Sequence, residues 1–379
     1  MTNVPKRLIP IYKPYLPIDS LNKAHDALDS TWLSSQGKYI QIAQEKLQEL
    51  LGVSYVLPVN NGTSACHLVA KALNRKIGKQ PHKILCPDNV YVAAWNAFLF
   101  DTGLFELITI KTDINTWNID LEDLDKKINI HPEASILIVH NMGNVINVPE
   151  LQKKYPNNIF VEDACESFMG TYENKYTGTA SFISAFSTFG NKTITSGEGG
   201  FITTNDESTY LYVKHIHGQG QSSKKFIHNK LGYNYRITNI QAALLCGQLE
   251  IVEQIVEMKR NIFDKYRAVF GNRNDVLIQK EANNTQHANW MFGLRILNNK
   301  SYDLANSFFS IRNIEIRPLF YAISEHEHLK KNENIIIDDT ANAELLNKQV
   351  IILPSFPELT TDEQDYIITT VNQFIRENI

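Results

Sequence analysis

The sequence predicts an α/β protein: a large, mostly parallel β-sheet with helices on both faces, followed by a smaller α+β domain. Short apolar strands alternate with helices up to about residue 240, which is the pattern of parallel strands joined by crossover helices. The pattern then changes to one long helix and shorter mixed elements. A chain of 379 residues has room for two domains. We therefore predict a doubly wound domain over residues 1–249, with residues 1–17 as an N-terminal arm, and a small C-terminal domain over residues 250–379.

Apolar periodicity and turn residues locate the individual elements. In the helix predicted over residues 40–51, Ile40, Ala43 and Leu47 fall on one face, and Gly52 follows as a stop. The other helices are predicted at residues 18–30, after residue 60 to about 73, near 92–100, and from 239 to about 270. Strands are predicted at residues 55–59, 83–86, 105–110, 135–139, 159–162, 182–187 and 200–204.

The composition argues against several classes of function. A formal net charge of −4 does not suit a nucleic-acid-binding protein, because such proteins carry an excess of basic residues. The first residues lack the apolar core of a signal peptide, and no run approaches the ~18 apolar residues of a membrane span. Four separated cysteines without a CxxC pair indicate free thiols in a reducing compartment. We therefore expect a cytoplasmic protein with neither a nucleic-acid nor a membrane partner.

Three polar motifs follow predicted strands, at the edge where a doubly wound sheet binds its ligands. The first motif, Gly62-Thr63-Ser64, opens a predicted helix. Glycine allows close approach to the backbone, and a helix N-terminus attracts an anion such as a phosphate. Taken alone, however, Thr and Ser at this place are more typical of a simple helix cap.

The other two motifs supply a carboxylate and an amine. Asp163 ends an apolar strand, where a carboxylate could keep the pyridine nitrogen of pyridoxal phosphate (PLP) protonated, so that the ring acts as an electron sink. Lys192 lies in a glycine- and hydroxyl-rich turn between two apolar strands, where its amine could serve as a Schiff-base nucleophile. An isolated Asp is more often a cap, and a lone loop Lys is usually a solvated charge. The order of the three motifs favours a PLP site.

These motifs resemble those of the DegT/DnrJ/EryC1/StrS family of sugar aminotransferases. The similarity covers nearly the whole chain and is most specific at the lysine motif, which ends in Gly197-Glu198-Gly199-Gly200. It extends to Gly232-Tyr233-Asn234-Tyr235-Arg236 and to Arg317-Pro318-Leu319-Phe320-Tyr321. The resemblance implies the aspartate aminotransferase-like fold (fold type I of the PLP-dependent transferases) and a homodimer. Within the family, the chain is most similar to the perosamine-synthase-like branch.

The resemblance also implies roles for individual residues. Lys192 would carry PLP covalently and act as the catalytic proton carrier, Asp163 would pair with the pyridine nitrogen, and Tyr91 would stack on the ring. The phosphate would be held by Gly62, Thr63 and Ser187, and by Asn234 from the neighbouring subunit. The predicted cofactor-binding set is Gly62, Thr63, Ser64, Tyr91, Asp163, Glu166, Ser187, Lys192 and Asn234, and the predicted substrate-binding set is Lys224, Arg236, Arg317 and Tyr321. No metal site is predicted, and Trp290 is interpreted as a core or subunit-contact residue.

The implied reaction is amination of a nucleotide-linked 4-keto-6-deoxyhexose to the 4-amino-4,6-dideoxyhexose, of the perosamine or viosamine type, with glutamate as the amino donor. The nucleotide, GDP, UDP or dTDP, stays open. The main alternative is a C3-specific sugar aminotransferase. Two further alternatives, a C3 dehydratase and a non-catalytic PLP-binding regulator, agree less well with the Asp163–Lys192 pair. The sequence departs from the family pattern at His140-Asn141-Met142-Gly143 and at Tyr321-Ala322, which we expect to border the sugar site.

Overall fold

The structure is a computed structural model that describes residue 5 and residues 7–379. The helices of the first part of the chain are α1 (Ile18–Asp29), α2 (Lys38–Leu51), α3 (Gly62–Ile77), α4 (Ala93–Leu99), α5 (Leu121–Ile130), α6 (Val148–Lys154), α7 (Glu207–His217) and α8 (Asn239–Leu249). Its strands are β1 (Tyr55–Val59), β2 (His82–Pro87), β3 (Phe105–Ile110), β4 (Ser135–Val139), β5 (Phe160–Asp163), β6 (Thr171–Tyr172), β7 (Lys175–Tyr176), β8 (Ser184–Ser187) and β9 (Gly200–Thr204).

The second part of the chain contains five further helices and six short strands. The helices are α9 (Val252–Phe270), α10 (Tyr302–Ser310), α11 (Glu327–Lys330), α12 (Ala341–Gln349) and α13 (Thr361–Asn378). The strands are β10 (Val276–Leu277), β11 (Thr285–Gln286), β12 (Phe292–Ile296), β13 (Arg317–Pro318), β14 (Ile335–Ile336) and β15 (Val350–Leu353). Two short 3-10 helices lie at Asn141–Gly143 and Ile323–Glu325.

The central sheet has eight strands in the order β1-β9-β8-β5-β4-β2-β3-β14. Strand β9 runs antiparallel to both of its neighbours, and the other pairs in this sheet are parallel. The prediction of a mostly parallel sheet is therefore confirmed. None of the helices within residues 7–379 combines the length and apolar character that crossing a bilayer requires.

Alternate residues of the central strands pack on opposite faces of the sheet. In β4, Leu137 and Val139 belong to the core beneath α3, α4 and α7. Ile136 and Ile138 belong to the core beneath α5 and α6. Because successive side chains of a strand point to opposite faces, strands with apolar residues at both parities are buried on both sides, which agrees with the predicted doubly wound arrangement.

A second, antiparallel sheet has the strand order β10-β12-β15-β13. Helices α9, α10 and α13 contribute to the core beside it. Two segments cross between the two parts of the chain. Ile9, in the predicted N-terminal arm, forms a bridge with Ile314, and β14 joins the edge of the central sheet beside β3. The domain boundary at about residue 250 stays a prediction.

The single helix predicted from residue 239 to about 270 is wrong, because the chain breaks there into α8 and α9. Ile251 leaves the helical conformation, with φ −124° and ψ 21°. Helix α8 is buried almost all round between α1 and α2, whereas α9 is amphipathic and packs on the second sheet. Glu250 is held at the break by ion pairs with Lys23 and Lys46. The two helices therefore pack against different parts of the protein, and the chain changes direction between them.

Candidate active site

A cavity of about 490 Å³ opens at the carboxyl edge of the central sheet. Strands β1, β2, β4, β5 and β8 all end at this edge, and the residues at their ends and in the segments that follow form the cavity walls. The second sheet closes it from the other side, with Trp290 and Met291 before β12, Arg317 in β13 and Ile352 in β15. The position agrees with the rule that ligands bind outside the carboxyl ends of parallel strands.

The N-terminus of α3 forms one end of the cavity. The Asn61 side chain accepts a hydrogen bond from the Ser64 N–H at 2.8 Å and so caps the helix. Within the described part of the chain, the N–H groups of Gly62 and Thr63 have no acceptor, and both residues line the cavity. A Cβ at Gly62 would lie 2.8 Å from the Ser187 Cβ, so only glycine permits this close approach. Free N–H groups at the start of a helix make a cradle for an anion.

Two adjacent carboxylates leave β5 on opposite faces of the sheet. Asp163 lines the cavity and is buried, and one of its carboxylate oxygens accepts the Cys165 N–H at 3.0 Å. Glu162 lies on the other face, where it accepts from His140 Nε2 at 2.8 Å and from the Gly178 N–H at 2.9 Å. The strand geometry therefore presents only Asp163 to a ligand in the cavity.

Lys192 lies in the turn between β8 and β9, and contacts from distant segments hold this turn. Its amine lies 3.8 Å from the centre of the Trp290 ring, within range of a cation–π contact. The Trp290 Nε1–H donates to the Asn191 carbonyl at 2.8 Å, and the Tyr12 hydroxyl donates to the Lys192 carbonyl at 2.7 Å. The amine is thus held inside the cavity rather than extended into solvent.

Glu166 is a buried carboxyl group on the cavity wall. Burial raises the pKa of Glu166 to about 7, against the opposing effects of the Lys192 charge and the hydrogen bond from the Met142 N–H. Met142 adopts a left-handed conformation with φ 58°, which directs its N–H to the Glu166 carboxylate at 2.8 Å. A side chain with a β-carbon is uncommon in this conformation, so the hydrogen bond accompanies a local strain.

Two thiols lie beside Asp163 at the base of the cavity. The sulfur atoms of Cys66 and Cys165 and a carboxylate oxygen of Asp163 all lie within 4.8 Å of one another. A hydrogen bond with Cys66, together with burial, raises the pKa of the Cys165 thiol well above its usual value. A metal requires the thiolate, so this environment disfavours a metal site, and the prediction that the protein holds no metal stays a prediction.

The model of the DegT/DnrJ/EryC1/StrS aminotransferase family matches residues 16–372. The chain belongs to this family. It is 35% identical over 371 residues to GDP-perosamine synthase of Escherichia coli O157:H7. This match covers 97% of this chain and 99% of that protein. It is 31% identical to GDP-perosamine synthase of Vibrio cholerae, again over 97% of this chain and 99% of the relative.

Solved structures of other sugar-modifying enzymes show the same fold. Helicobacter pylori PseC, an aminotransferase involved in the biosynthesis of pseudoaminic acid, superposes with a TM-score of 0.88 at 23% identity, over 98% of this chain and 100% of that chain. E. coli GDP-4-keto-6-deoxy-D-mannose-3-dehydratase with bound hydrated PLP gives a TM-score of 0.89 at 22% identity, over 96% and 99% of the two chains. The predicted type I fold of PLP-dependent transferases is confirmed.

Eight of the predicted site residues of this aminotransferase line the cavity. They come from five separate segments of the chain, so the fold brings together groups that the sequence scatters over more than half its length. These residues are Gly62, Thr63, Tyr91, Asp163, Glu166, Ser187, Lys192 and Arg317. Their individual roles stay predictions.

Two predicted residues of the aminotransferase point away from the cavity. Ser64 is buried within α3, and its N–H is occupied by the Asn61 cap. Tyr321 does not line the cavity and is exposed, whereas the preceding residue, Phe320, lines the cavity beside Tyr91, with 5.9 Å between the ring centres. The extended backbone after β13 turns neighbouring side chains in opposite directions, and the sequence pattern did not fix which of the two faces inward.

The remaining three predicted residues, Lys224, Asn234 and Arg236, lie on a loop outside the cavity. Lys224 is exposed. Arg236 forms a bridge with Val59 at the end of β1, and the Asn60 side chain donates to the Asn234 carbonyl at 3.3 Å. The loop therefore docks beside the strand that leads into the α3 cradle, without lining the cavity.

Sequence reasoning missed several cavity residues of the aminotransferase. The most important is Trp290, which is a core residue as interpreted from the sequence and also contacts the Lys192 amine, a contact that the sequence did not indicate. Asn191, Glu198, Met291 and Phe320 also line the cavity. Met142 lines it as well, and its segment was expected to border the sugar site. The departure from the family pattern at Met142 was a usable signal. No local signal marks Trp290, because its hydrogen bond to Asn191 beside Lys192 spans 99 positions of the sequence.

Proposed function

We propose that the protein uses PLP to transfer an amino group from glutamate to C4 of a GDP-linked 4-keto-6-deoxyhexose, giving a 4-amino-4,6-dideoxyhexose of the perosamine type. One observation carries this proposal: the Lys192 amine, the Asp163 carboxylate and the open N-terminus of α3 line a single cavity. The two relatives named GDP-perosamine synthase, which match almost the whole chain, support the nucleotide and the position of amination.

The residues of the cavity fit PLP. The N–H groups of Gly62 and Thr63, with the Ser187 hydroxyl beside them, suit the phosphate dianion. Buried Asp163 suits the pyridinium nitrogen, and Tyr91, which is 58% exposed at the cavity wall, has a free face for stacking. Bound in this way, PLP supplies an electron sink for the carbon that exchanges its amino group.

The chain's own residues account for the remaining steps. Lys192 would anchor the cofactor, and its amine, once displaced by the amino donor, would carry a proton from C4′ of the cofactor to C4 of the sugar. Asp163 keeps a proton on the pyridine nitrogen. The guanidinium of Arg317 at the cavity wall can bind an anionic group of the donor or the nucleotide sugar. Trp290, Met291 and Phe320 exclude water from the Lys192 side of the cavity.

We also propose a cytoplasmic homodimer with shared active sites. Large apolar side chains are exposed at the cavity mouth and on the adjacent loop: Tyr91, Phe189, Phe226 and Leu231, of which Leu231 is 86% exposed. The Nε of Arg236 is buried and has no hydrogen-bond partner among the described residues. A second subunit seated here would cover the apolar groups and would receive Asn234 and Arg236 at its own cavity.

The proposal is tested by turnover with matched sugars. Purified protein with PLP and glutamate is given the GDP-, UDP- or dTDP-linked 4-keto-6-deoxyhexose, and the product is located by NMR and mass spectrometry. We expect 2-oxoglutarate and an amine at C4 of the GDP sugar, and neither product with the Lys192→Ala variant. Amination at C3, or a preference for UDP or dTDP, would replace the corresponding part of the proposal. Absence of transamination with every sugar and donor would overturn it.

A further inference from the structure

A lysine that the proposed chemistry does not use is fully buried behind the active site. Lys259 lies on the inner face of α9 with 0% of its surface exposed. Its amine donates to the Trp290 carbonyl at 2.6 Å and to the Ser355 carbonyl. No carboxylate pairs with it within residues 7–379, and burial alone lowers the pKa of Lys259 to about 7. Burying an amine without a counter-charge costs free energy, which these two contacts offset.

The first contact connects Lys259 to the catalytic turn. Its partner carbonyl belongs to Trp290, whose ring lies 3.8 Å from the Lys192 amine and whose Nε1–H donates to the Asn191 carbonyl at 2.8 Å. The backbone of Trp290 is therefore fixed by Lys259, while its side chain fixes Asn191 and Lys192. Movement of the Trp290 backbone would carry the indole away from the Lys192 amine.

Tyr12 makes a second connection from the opposite direction. Its ring centre lies 5.1 Å from the Lys259 amine, and its hydroxyl donates to the Lys192 carbonyl at 2.7 Å. Lys259 thus lies behind two side chains that contact the Lys192 backbone or amine from outside the turn. The three residues that form this support, Lys259, Trp290 and Tyr12, come from three distant segments of the chain.

We infer that Lys259 is a positioning residue for Lys192, acting through Trp290 and Tyr12. The inference rests on the proposed function, in which the Lys192 amine alternates between a covalent anchor and a free proton carrier. The face of Trp290 holds the free amine inside the cavity, and Lys259 keeps that face in place. A neutral amine has two N–H groups and an ammonium has three, so both forms of Lys259 can serve the two carbonyls.

The test measures how fast Lys192 captures PLP, using full-length protein freed of its cofactor. Capture is followed by absorbance, and the attachment point is established by borohydride reduction and peptide mass spectrometry. We expect Lys259→Met, which keeps most of the length of the side chain but removes its donors, to slow capture and lower kcat about tenfold with KM for the sugar unchanged. Lys259→Gln, which keeps two donors, should recover part of this loss. The control is Arg260→Met, at the exposed neighbouring position, which should behave as wild type.

A double-mutant cycle separates positioning from a general loss of stability. If Lys259 acts through Trp290, then Lys259→Met combined with Trp290→Phe should slow capture little more than either change alone, whereas independent effects would multiply to about a hundredfold. Multiplicative effects, or wild-type capture by folded Lys259→Met, would overturn the inference.

The test also covers a Lys259 variant that does not fold and a wild-type protein that does not attach PLP. If Lys259→Met does not fold, Trp290→Phe and Tyr12→Phe take its place, and wild-type capture by both of these variants would also overturn the inference. If the wild-type protein does not attach PLP at Lys192 at all, the proposed function itself fails. If the wild type attaches PLP normally and the Lys259 variant captures it at the wild-type rate, the positioning role of Lys259 is wrong and the proposed function is unaffected.

Discussion

At the scale of single residues, the site depends on which face of a strand carries each charge. Asp163 and Glu162 are neighbours at the end of β5, and both are buried acids. Although they are adjacent in sequence, the Asp163 carboxylate faces the cavity and the Glu162 carboxylate is hydrogen-bonded to His140 on the opposite face of the sheet. The two residues therefore form a natural pair of test and control.

We predict that Asp163→Asn will fold normally and lose activity on the order of 10²–10³-fold, because a neutral amide does not keep the pyridine nitrogen protonated. Glu162→Gln should keep a rate near that of the wild type and instead change thermal stability, since its partners lie in the core. Single-turnover rates and melting temperatures of both variants distinguish these outcomes. The reverse pattern, with Glu162→Gln inactive and Asp163→Asn active, would show that Asp163 is not the partner of the pyridine nitrogen.

Glu166 gives the clearest pH dependence. Its pKa is raised from 4.5 to about 7, so between these values the folded protein holds a proton that the unfolded chain has lost. The free energy of unfolding of the cofactor-free protein therefore falls as the pH rises through this window. We predict that Glu166→Gln, which can still accept from Met142, has a higher free energy of unfolding than wild type at pH 8, by up to about 3 kcal/mol, with little difference at pH 4. Equal differences at both pH values would contradict this.

At the scale of elements, the N-terminus of α3 provides the next prediction. The Gly62→Ala methyl group would lie 2.8 Å from the Ser187 Cβ, forcing α3 and the turn after β8 apart and widening the anion cradle. We predict at least about tenfold weaker PLP binding, a loss of the size expected for one charge-assisted hydrogen bond. Gly190→Ala is the control, because its new methyl group would meet nothing nearer than 3.9 Å. Equilibrium titration of both cofactor-free variants with PLP tests this, and equal affinities would count against the cradle.

Elements were predictable where burial imposes a simple pattern. Strands such as β1 (Tyr55–Val59) and β4 (Ser135–Val139) have the predicted bounds because both faces are buried and the apolar runs end at polar turns. The break between α8 and α9 was not predicted. Apolar residues continue through it, and the change of direction at Ile251 depends on α1, α2 and the second sheet, which contact the two helices from different sides. Tertiary packing, not local propensity, sets that boundary.

At the scale of the whole molecule, the site is assembled from parts that the sequence reveals unequally. The strand end carrying Asp163 and the turn carrying Lys192 were identifiable, because polar residues follow apolar strands there. The wall formed by Trp290, Met291 and Ile352 comes from the second sheet, and its placement depends on how the two parts of the chain pack. Its apolar residues look like any other core residues in the sequence. The cavity positions of Asp163 and Lys192 were therefore predictable, and the surface that shapes their surroundings was not.

In the proposed dimer, the loop carrying Asn234 and Arg236 is predicted to act across the subunit interface. This loop docks beside β1 of its own subunit, yet neither residue lines that subunit's cavity. In a two-fold dimer, each loop can instead complete the cavity of the partner, and the symmetry completes both sites at once. Inactive Lys192→Ala protein mixed with a variant altered at both Asn234 and Arg236 should then regain activity once subunits exchange.

The expected recovery is about a quarter of wild-type activity at equal mixing, because half of the dimers are mixed and each has one site free of both lesions. Subunits with different affinity tags allow exchange to be measured independently. The matched control mixes Lys192→Ala with Asp163→Asn. These two lesions affect residues of the same cavity, so every site in that mixture keeps one lesion and no activity should return. If the loop served its own subunit, the first mixture would behave like the control, since each site of the mixed dimer would then carry one lesion. Recovery in the first mixture but not in the second therefore requires that Asn234 and Arg236 act across the subunit interface.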